Sequence, residues 1–269
     1  MCIRDSIKIM KKSLLLVISL LALSFLPNTY AHDLKGAIAS DDRTPKNVVR
    51  DVYRNPYQTL DFFGIKTDMT IVELSPGGGW YTEILANYIH YPGTLIAAHH
   101  NPEGGGYYKR SRENFEKKMD SNPMYGRVEI VDLDSSLADP NSVDAVLTFR
   151  NLHNWLGPLM DTIFSNSYTA LKPGGIFGVV EHRANDGTSM EMMKKSGYVT
   201  EAHAIMMAEK HGFELVAKSE VNSNPKDIKN YPKGVWTLPP NLRMKEVDRE
   251  KYLDIGESDR MTLLFRKPL

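Results

Sequence analysis

The chain has 269 residues, with 33 Lys plus Arg against 33 Asp plus Glu, 42% hydrophobic residues and one cysteine. That length and apolar content suit one α/β domain with a full core, and a balanced charge without basic blocks excludes the electrostatic footprint of a nucleic-acid binder. A lone cysteine excludes a disulfide framework and a cysteine-based metal site.

In chain order, Met1-Cys-Ile-Arg-Asp-Ser6 matches the translation of a transposon adapter end used in sequencing libraries, and is read as foreign to the natural protein. Met10-Lys-Lys12, an apolar stretch from Ser13 to Phe25, and Leu26-Pro-Asn-Thr-Tyr-Ala31 fit the three regions of a secretory signal peptide, with cleavage expected after Ala31. The expected product, residues 32–269, is periplasmic or secreted, and has a net charge of −3. No stretch is long and apolar enough for stable membrane insertion, which takes about 20 residues.

Thr44-Pro45 predicts a helix start, with Val48, Val49, Val52 and Tyr53 on one side, and Asn55-Pro56 repeats the signal for a second helix ending at Gly64. Strands are predicted at 71–74, 94–98, 128–131, 143–149, 176–181 and 213–221, with an antiparallel seventh at 261–266. Helices are expected over 81–88, 107–119, 159–171 and 199–210, with Lys172-Pro-Gly-Gly175 as a helix stop. The predicted fold is a seven-stranded, mostly parallel α/β sheet of Rossmann-like type in a single domain. Residues 222–260, rich in proline, form a lid-like insertion at the carboxyl edge of that sheet.

The motif Ile71-Val-Glu-Leu-Ser-Pro-Gly-Gly-Gly-Trp-Tyr-Thr-Glu-Ile-Leu85 reads as a strand, a glycine-rich turn and a helix start. Glycines at 77, 78 and 79 let backbone amides approach a ligand, and Glu73 at the strand tip is placed to bind a polar or cationic group. The loop lacks the Gly-Lys-Ser or Gly-Lys-Thr of a Walker loop and the spaced glycines of a dinucleotide fingerprint. A tight turn without a ligand is the plain structural alternative.

On these residues, with Val131-Asp-Leu-Asp134 and Leu171-Lys-Pro-Gly-Gly-Ile176, the chain resembles class I S-adenosylmethionine (SAM)-dependent methyltransferases. More narrowly, it resembles an exported methyltransferase-like family with an N-terminal Arg-Asp and Asn-Pro helical pair. The resemblance runs from Arg43 to Pro268. It implies SAM as cofactor and a small-molecule methyl acceptor. It also implies cofactor contacts from Glu73, Ser75, Pro76, Gly77, Gly78, Gly79, Tyr81, His99, Asp132, Leu133 and Arg150. Ser75 stands where the family usually has its first glycine. His99, followed by His100, stands where the family usually has an acid for the ribose hydroxyls, an exchange an imidazole cannot fully make; Glu103 is the next acid along.

Arg150, Asn151, His153 and Asn154 follow the fourth strand and Glu181 and His182 end the fifth, on the same edge as the glycine loop. His153 is the economical general base, Asn151 and Asn154 can orient an acceptor, Glu181 and His182 complete the catalytic set, and Trp155 and Tyr81 can wall a sulfonium. Glu181-His182-Arg183 serves equally well as an ion pair at the sheet edge. His99, His100, His153, Glu181, His182 and His203 together suit zinc or copper, but none has the spacing of a helical zinc signature, and no metal is assigned. A repurposed exported binding protein on the same fold is the rival reading. The oligomeric state is left open.

Overall fold

The computed structural model describes residues 33–269; the signal peptide and cleavage point expected from the sequence lie outside them. Four short helices open the domain: α1 (Leu34–Ile38), α2 (Pro45–Val48), α3 (Asp51–Arg54) and α4 (Pro56–Phe62). Then strand and helix alternate: β1 (Thr70–Leu74), α5 (Trp80–Tyr88), β2 (Thr94–His99), α6 (Gly106–Asp120), β3 (Glu129–Asp132), β4 (Val143–Phe149), α7 (Leu152–Trp155), α8 (Pro158–Ala170) and β5 (Leu171–His182). The remainder is α9 (Met190–Ser196), α10 (Glu201–Lys210), β6 (Glu214–Ser219), α11 (Arg249–Ile255) and β7 (Arg260–Arg266).

The seven strands form one sheet in the order β3-β2-β1-β4-β5-β7-β6, with β7 antiparallel to both neighbours and the others parallel. Alternation along each strand sends its apolar residues to two cores. Val72, Leu74 and Val146 pack with Phe164 and Phe177 on one face, while Ile71, Ala145 and Leu147 pack with Phe63, Ile84 and Leu85 on the other. Because β1, β4 and β5 run the same way, the turns that follow them meet at one edge, and the chain reversal between β1 and β4 opens a crevice there.

The opening segment departs from its predicted helix. It breaks between α2 and α3, and its valines face outward, with Val49 70% and Val52 75% exposed. The buried side carries Arg43, Asn47 and Arg54 instead. Polar partners invert the amphipathic pattern. Arg43 makes two hydrogen bonds to Asp51, the Trp80 indole donates to the Asn47 carbonyl at 2.9 Å, and the Arg54 guanidinium lies 4.5 Å over the Trp80 ring. A buried guanidinium with partners and a ring face to stack on outweighs a single valine seeking cover, whose burial contributes about 1.5–3 kcal/mol.

The insertion between β6 and β7 packs down on the carboxyl edge. Asn222, Asp227, Glu257, Ser258 and Asp259 are all buried. Asp227 accepts hydrogen bonds from the Tyr198 hydroxyl and the Asp259 amide, and Asp259 in turn pairs with Arg183 and Lys229. Among the described residues no helix is long and apolar enough to cross a membrane.

Candidate active site

The turn after β1 takes an unusual backbone path. Ser75, Gly77 and Gly79 have φ of +49°, +59° and +78°. A β-carbon added at Gly77 would meet nothing within 4 Å, so the loop presents bare, open backbone toward the crevice. Its geometry is set from behind: His99 Nε2 lies 3.3 Å from the Gly77 carbonyl, and the Lys118 ammonium donates to the Gly78 carbonyl at 2.7 Å while pairing with buried Glu83. Ser75 is buried with its hydroxyl unpartnered, and its positive φ is the reason a glycine suits that position better. Lys118, absent from the predicted site, lies 40 residues from the loop it holds, beyond any local motif.

Glu73 is buried behind the loop, where its Oε2 accepts from the Thr82 hydroxyl at 2.6 Å. It braces the first turn of α5 from inside and does not line the crevice. Burial raises its pKa to about 7, against the lowering by Thr82 and Lys118. His99, also fully buried, is pushed down by burial to about 4. The two act in opposite senses. The raised Glu73 value makes stability fall as pH rises from 4.5 to 7, and the depressed His99 value makes it fall as pH drops from 6.5 to 4, each by about 3 kcal/mol. We therefore expect Glu73→Gln to lose the first slope and keep the second. Denaturant unfolding should show the variant gaining about 3 kcal/mol relative to the parent chain between pH 5 and 8; a pH-independent difference would show that Glu73 titrates normally.

On the same sheet edge lies a cavity of about 280 Å³ lined by His100, Tyr107, Tyr108, Leu133, Asp134 and Trp155, among others. It joins the tips of β2 and β3 to the N-terminal end of α6 and to α7. The structure distributes the predicted contacts unevenly around it. Leu133 lines the cavity, but Asp132 accepts from Arg112 at 2.9 Å and its neighbours face the space instead. His99 turns toward the glycine loop, and His100 is the imidazole in the cavity. Glu103 is exposed in a 3-10 turn. Tyr81 is stacked flat on Phe149 with ring centroids 3.5 Å apart, its hydroxyl donating to the Arg54 carbonyl. The Tyr107-Tyr108 pair, just past Gly104-Gly105-Gly106, was the sequence signal for this cavity that the motif reading left unused.

At the tips of β4 and β5, His153 Nδ1 lies 3.0 Å from Glu181 Oε1, which also accepts from the His182 amide at 2.7 Å. With the proton on Nδ1, His153 donates to the carboxylate and its Nε2 lone pair is left free, the orientation a general base requires. Trp236 of the insertion stands edge-on to His153 at 6.0 Å. His182 is held through Nδ1 by Ser258, also of the insertion, and burial first, then the charges of His153 and Arg150, keep it neutral well below its ordinary pKa. The second oxygen of Glu181 is buried without a partner. His153, Glu181 and His182 have ligating atoms within 4.8 Å of one another, the one such group among the described residues.

Asn151 sits elsewhere than expected. Its amide donates to the Leu74, Ser75 and Phe149 carbonyls and the Thr148 hydroxyl at 3.1–3.3 Å, tying the ends of β1 and β4 together. Asn154 faces the cavity. Arg150 has φ of +65° and turns toward Glu257.

No protein-family model and no curated protein matches this sequence. Solved structures do match its fold. A SAM-dependent methyltransferase from Aquifex aeolicus aligns over 87% of this chain and 98% of its own, with TM-score 0.56 and 15% identity. The cyclase SpnF aligns over 86% of each chain, with TM-score 0.60 and 17% identity. A geranyl diphosphate methyltransferase in complex with SAM aligns over 87% of this chain and 94% of its own, with TM-score 0.57 and 11% identity. The fold is therefore the Rossmann-like fold of SAM-dependent methyltransferases.

Proposed function

We propose that residues 32–269 act outside the cytoplasm as a SAM-dependent methyltransferase on a small-molecule acceptor. The observation that carries this reading is the His153–Glu181 pair at the same sheet edge as the open Gly77-Gly78 backbone. The fit to the cofactor rests on that cradle and on the cavity at the same sheet edge with its two tyrosines and Trp155. Residues 76–79 would hold the methionine part, and His100, Tyr108, Leu133 and Asp134 the adenosine. When bound, the cofactor supplies an electrophilic methyl group. The chain supplies position and a base: His153 Nε2 takes the proton from an acceptor hydroxyl or amine, Glu181 keeps the imidazole oriented, and Trp236 packs edge-on against the imidazole.

The test is calorimetric titration of His32–Leu269 with SAM and S-adenosylhomocysteine, after metal removal and again with zinc. We expect binding to both without metal. Gly77→Leu puts a branched side chain into the cradle at a backbone angle it resists, at about 1–2 kcal/mol in stability, and should weaken cofactor binding at least tenfold. Unchanged binding would take the loop out of the site.

The buried His99 favours a second reading, a non-catalytic binding protein that keeps the crevice for another small ligand, since the tip of β2 offers the ribose no acid. The export expected from the sequence, away from the compartment where SAM is made, favours it too. Absence of binding to either cofactor form would select this reading, and binding restored only by zinc would select a metal-dependent form of it on His153, Glu181 and His182.

A further inference from the structure

Arg50 and Arg54 on α3, Arg150 in the turn after β4, and Arg260 at the start of β7 converge on a single carboxylate, that of Glu257. Arg50 Nε lies 2.6 Å from it, Arg54 Nε and Arg260 Nη1 3.5 Å, and Arg150 Nη1 3.9 Å. Arg54, Arg260 and Glu257 are buried, while the side chains of Arg50 and Arg150 keep 19% and 24% of their surface and give the cluster its access to solvent. Two further carboxylates act on the group, Glu181 on Arg150 and Asp259 on Arg260, but Glu181 already serves His153 and Asp259 already pairs with Arg183 and Lys229. Positive charge is in excess.

Donors are in excess as well. Arg50 Nη2, Arg54 Nε and Arg54 Nη2 are buried with no hydrogen-bond partner. Folded proteins seldom leave guanidinium groups unsatisfied, because each buried, unpaired N–H keeps its full desolvation cost. Four guanidiniums on one carboxylate make a poor structural ion pair and a ready receptor for an oxyanion. Its position fits a ligand: the Arg54 carbonyl accepts from Tyr81, two residues past the glycine loop, and Arg150 lies three residues before His153.

We propose that Arg50, Arg54, Arg150 and Arg260 form an oxyanion-binding site of the crevice, which takes a carboxylate or phosphate group. Placing it in the crevice rests on the small-molecule reading above. The anion has two sources, the acid group of an acidic acceptor or the carboxylate of the cofactor's methionine. Burial lowers the pKa of Arg150 to about 10, against the raising by Glu257, and repulsion from Arg260 and Arg50 adds to the lowering.

Thermal unfolding of His32–Leu269 in phosphate, against chloride of equal ionic strength, tests the site without any cofactor. The midpoint should rise with phosphate concentration, and Arg150→Gln should raise the phosphate needed about tenfold. Arg50→Gln, at the other partly exposed position, repeats the test should Arg150→Gln fail to fold. No phosphate-specific rise, or a rise unaltered in both variants, overturns the proposal. Calorimetry then separates the sources. If the anion is the cofactor's carboxylate, Arg150→Gln weakens SAM about tenfold, spares 5′-methylthioadenosine, and bound SAM abolishes the phosphate effect. If it belongs to the acceptor, SAM affinity is unchanged and the phosphate effect persists with SAM bound. A chain that binds phosphate but no SAM would overturn the methyltransferase reading and leave the anion site standing.

Discussion

Replacing Glu257 with glutamine is expected to destabilise the domain by about 3–5 kcal/mol, because it leaves buried guanidiniums without their counter-charge. Glu257 is the common counter-charge of Arg50, Arg54, Arg150 and Arg260. Burial alone would raise its pKa, yet the attraction of Arg54, Arg260 and Arg150 outweighs that and holds it at about 2. A depressed carboxylate contributes stability that is complete above 4.5, its ordinary value, and is lost as pH falls toward 2. The shift corresponds to about 3 kcal/mol. The variant should therefore unfold at lower denaturant concentration at pH 7, and the difference from the parent chain should shrink as pH falls below 4.5. Denaturant midpoints at pH 7, 4 and 3 measure both effects. A loss below about 1 kcal/mol at pH 7 would mean that solvent screens the cluster as it screens surface pairs. Phosphate should restore part of the loss if the arginines bind oxyanions.

The strands were legible because burial on both faces leaves continuous apolar runs, and β4 was predicted to its ends at Val143 and Phe149. The glycine loop was legible because three adjacent glycines are costly without a conformational reason, which the φ values of Gly77 and Gly79 provide. Short helices such as α7 and α9 were not predicted, since one or two turns carry too little periodicity to register. The opening helix failed for a different reason. An apolar stripe ordinarily marks the buried face, but Arg43, Asn47 and Arg54 find partners inside on Trp80 and Glu257, which lie at least 26 residues away in sequence.

The same distinction governs the site. Strand topology alone brings His153 to Glu181, so parallel strands with polar tips were enough to predict their meeting. What a polar group does after arriving depends on the partners it finds. Glu73 finds Thr82 and turns inward, Asn151 finds carbonyls of two strands, and Asp132 finds Arg112. Contacts supplied by the insertion, such as Ser258 on His182 and Trp236 on His153, depend on a return of the chain that no local pattern encodes.

His153→Ala is expected to lower the rate of methyl transfer by about 10²–10⁴-fold while leaving SAM affinity within about twofold. The imidazole is held by Glu181 and does not line the cavity at His100 and Tyr108, so its removal should act on proton transfer and hardly on cofactor binding. Glu181→Gln is the sharper probe of the pair. An amide oxygen still accepts from Nδ1, but it carries no charge to stabilise the imidazolium formed when Nε2 takes a proton. The rate should fall by at least about tenfold with the fold intact. Release of S-adenosylhomocysteine, measured with acceptors found in a small-molecule screen, reads both variants. Equal losses in transfer and in SAM affinity would make the pair a structural tie between β4 and β5. An undiminished rate in His153→Ala would move the base elsewhere, and His182 is a poor replacement because burial and neighbouring arginines hold it from accepting a proton.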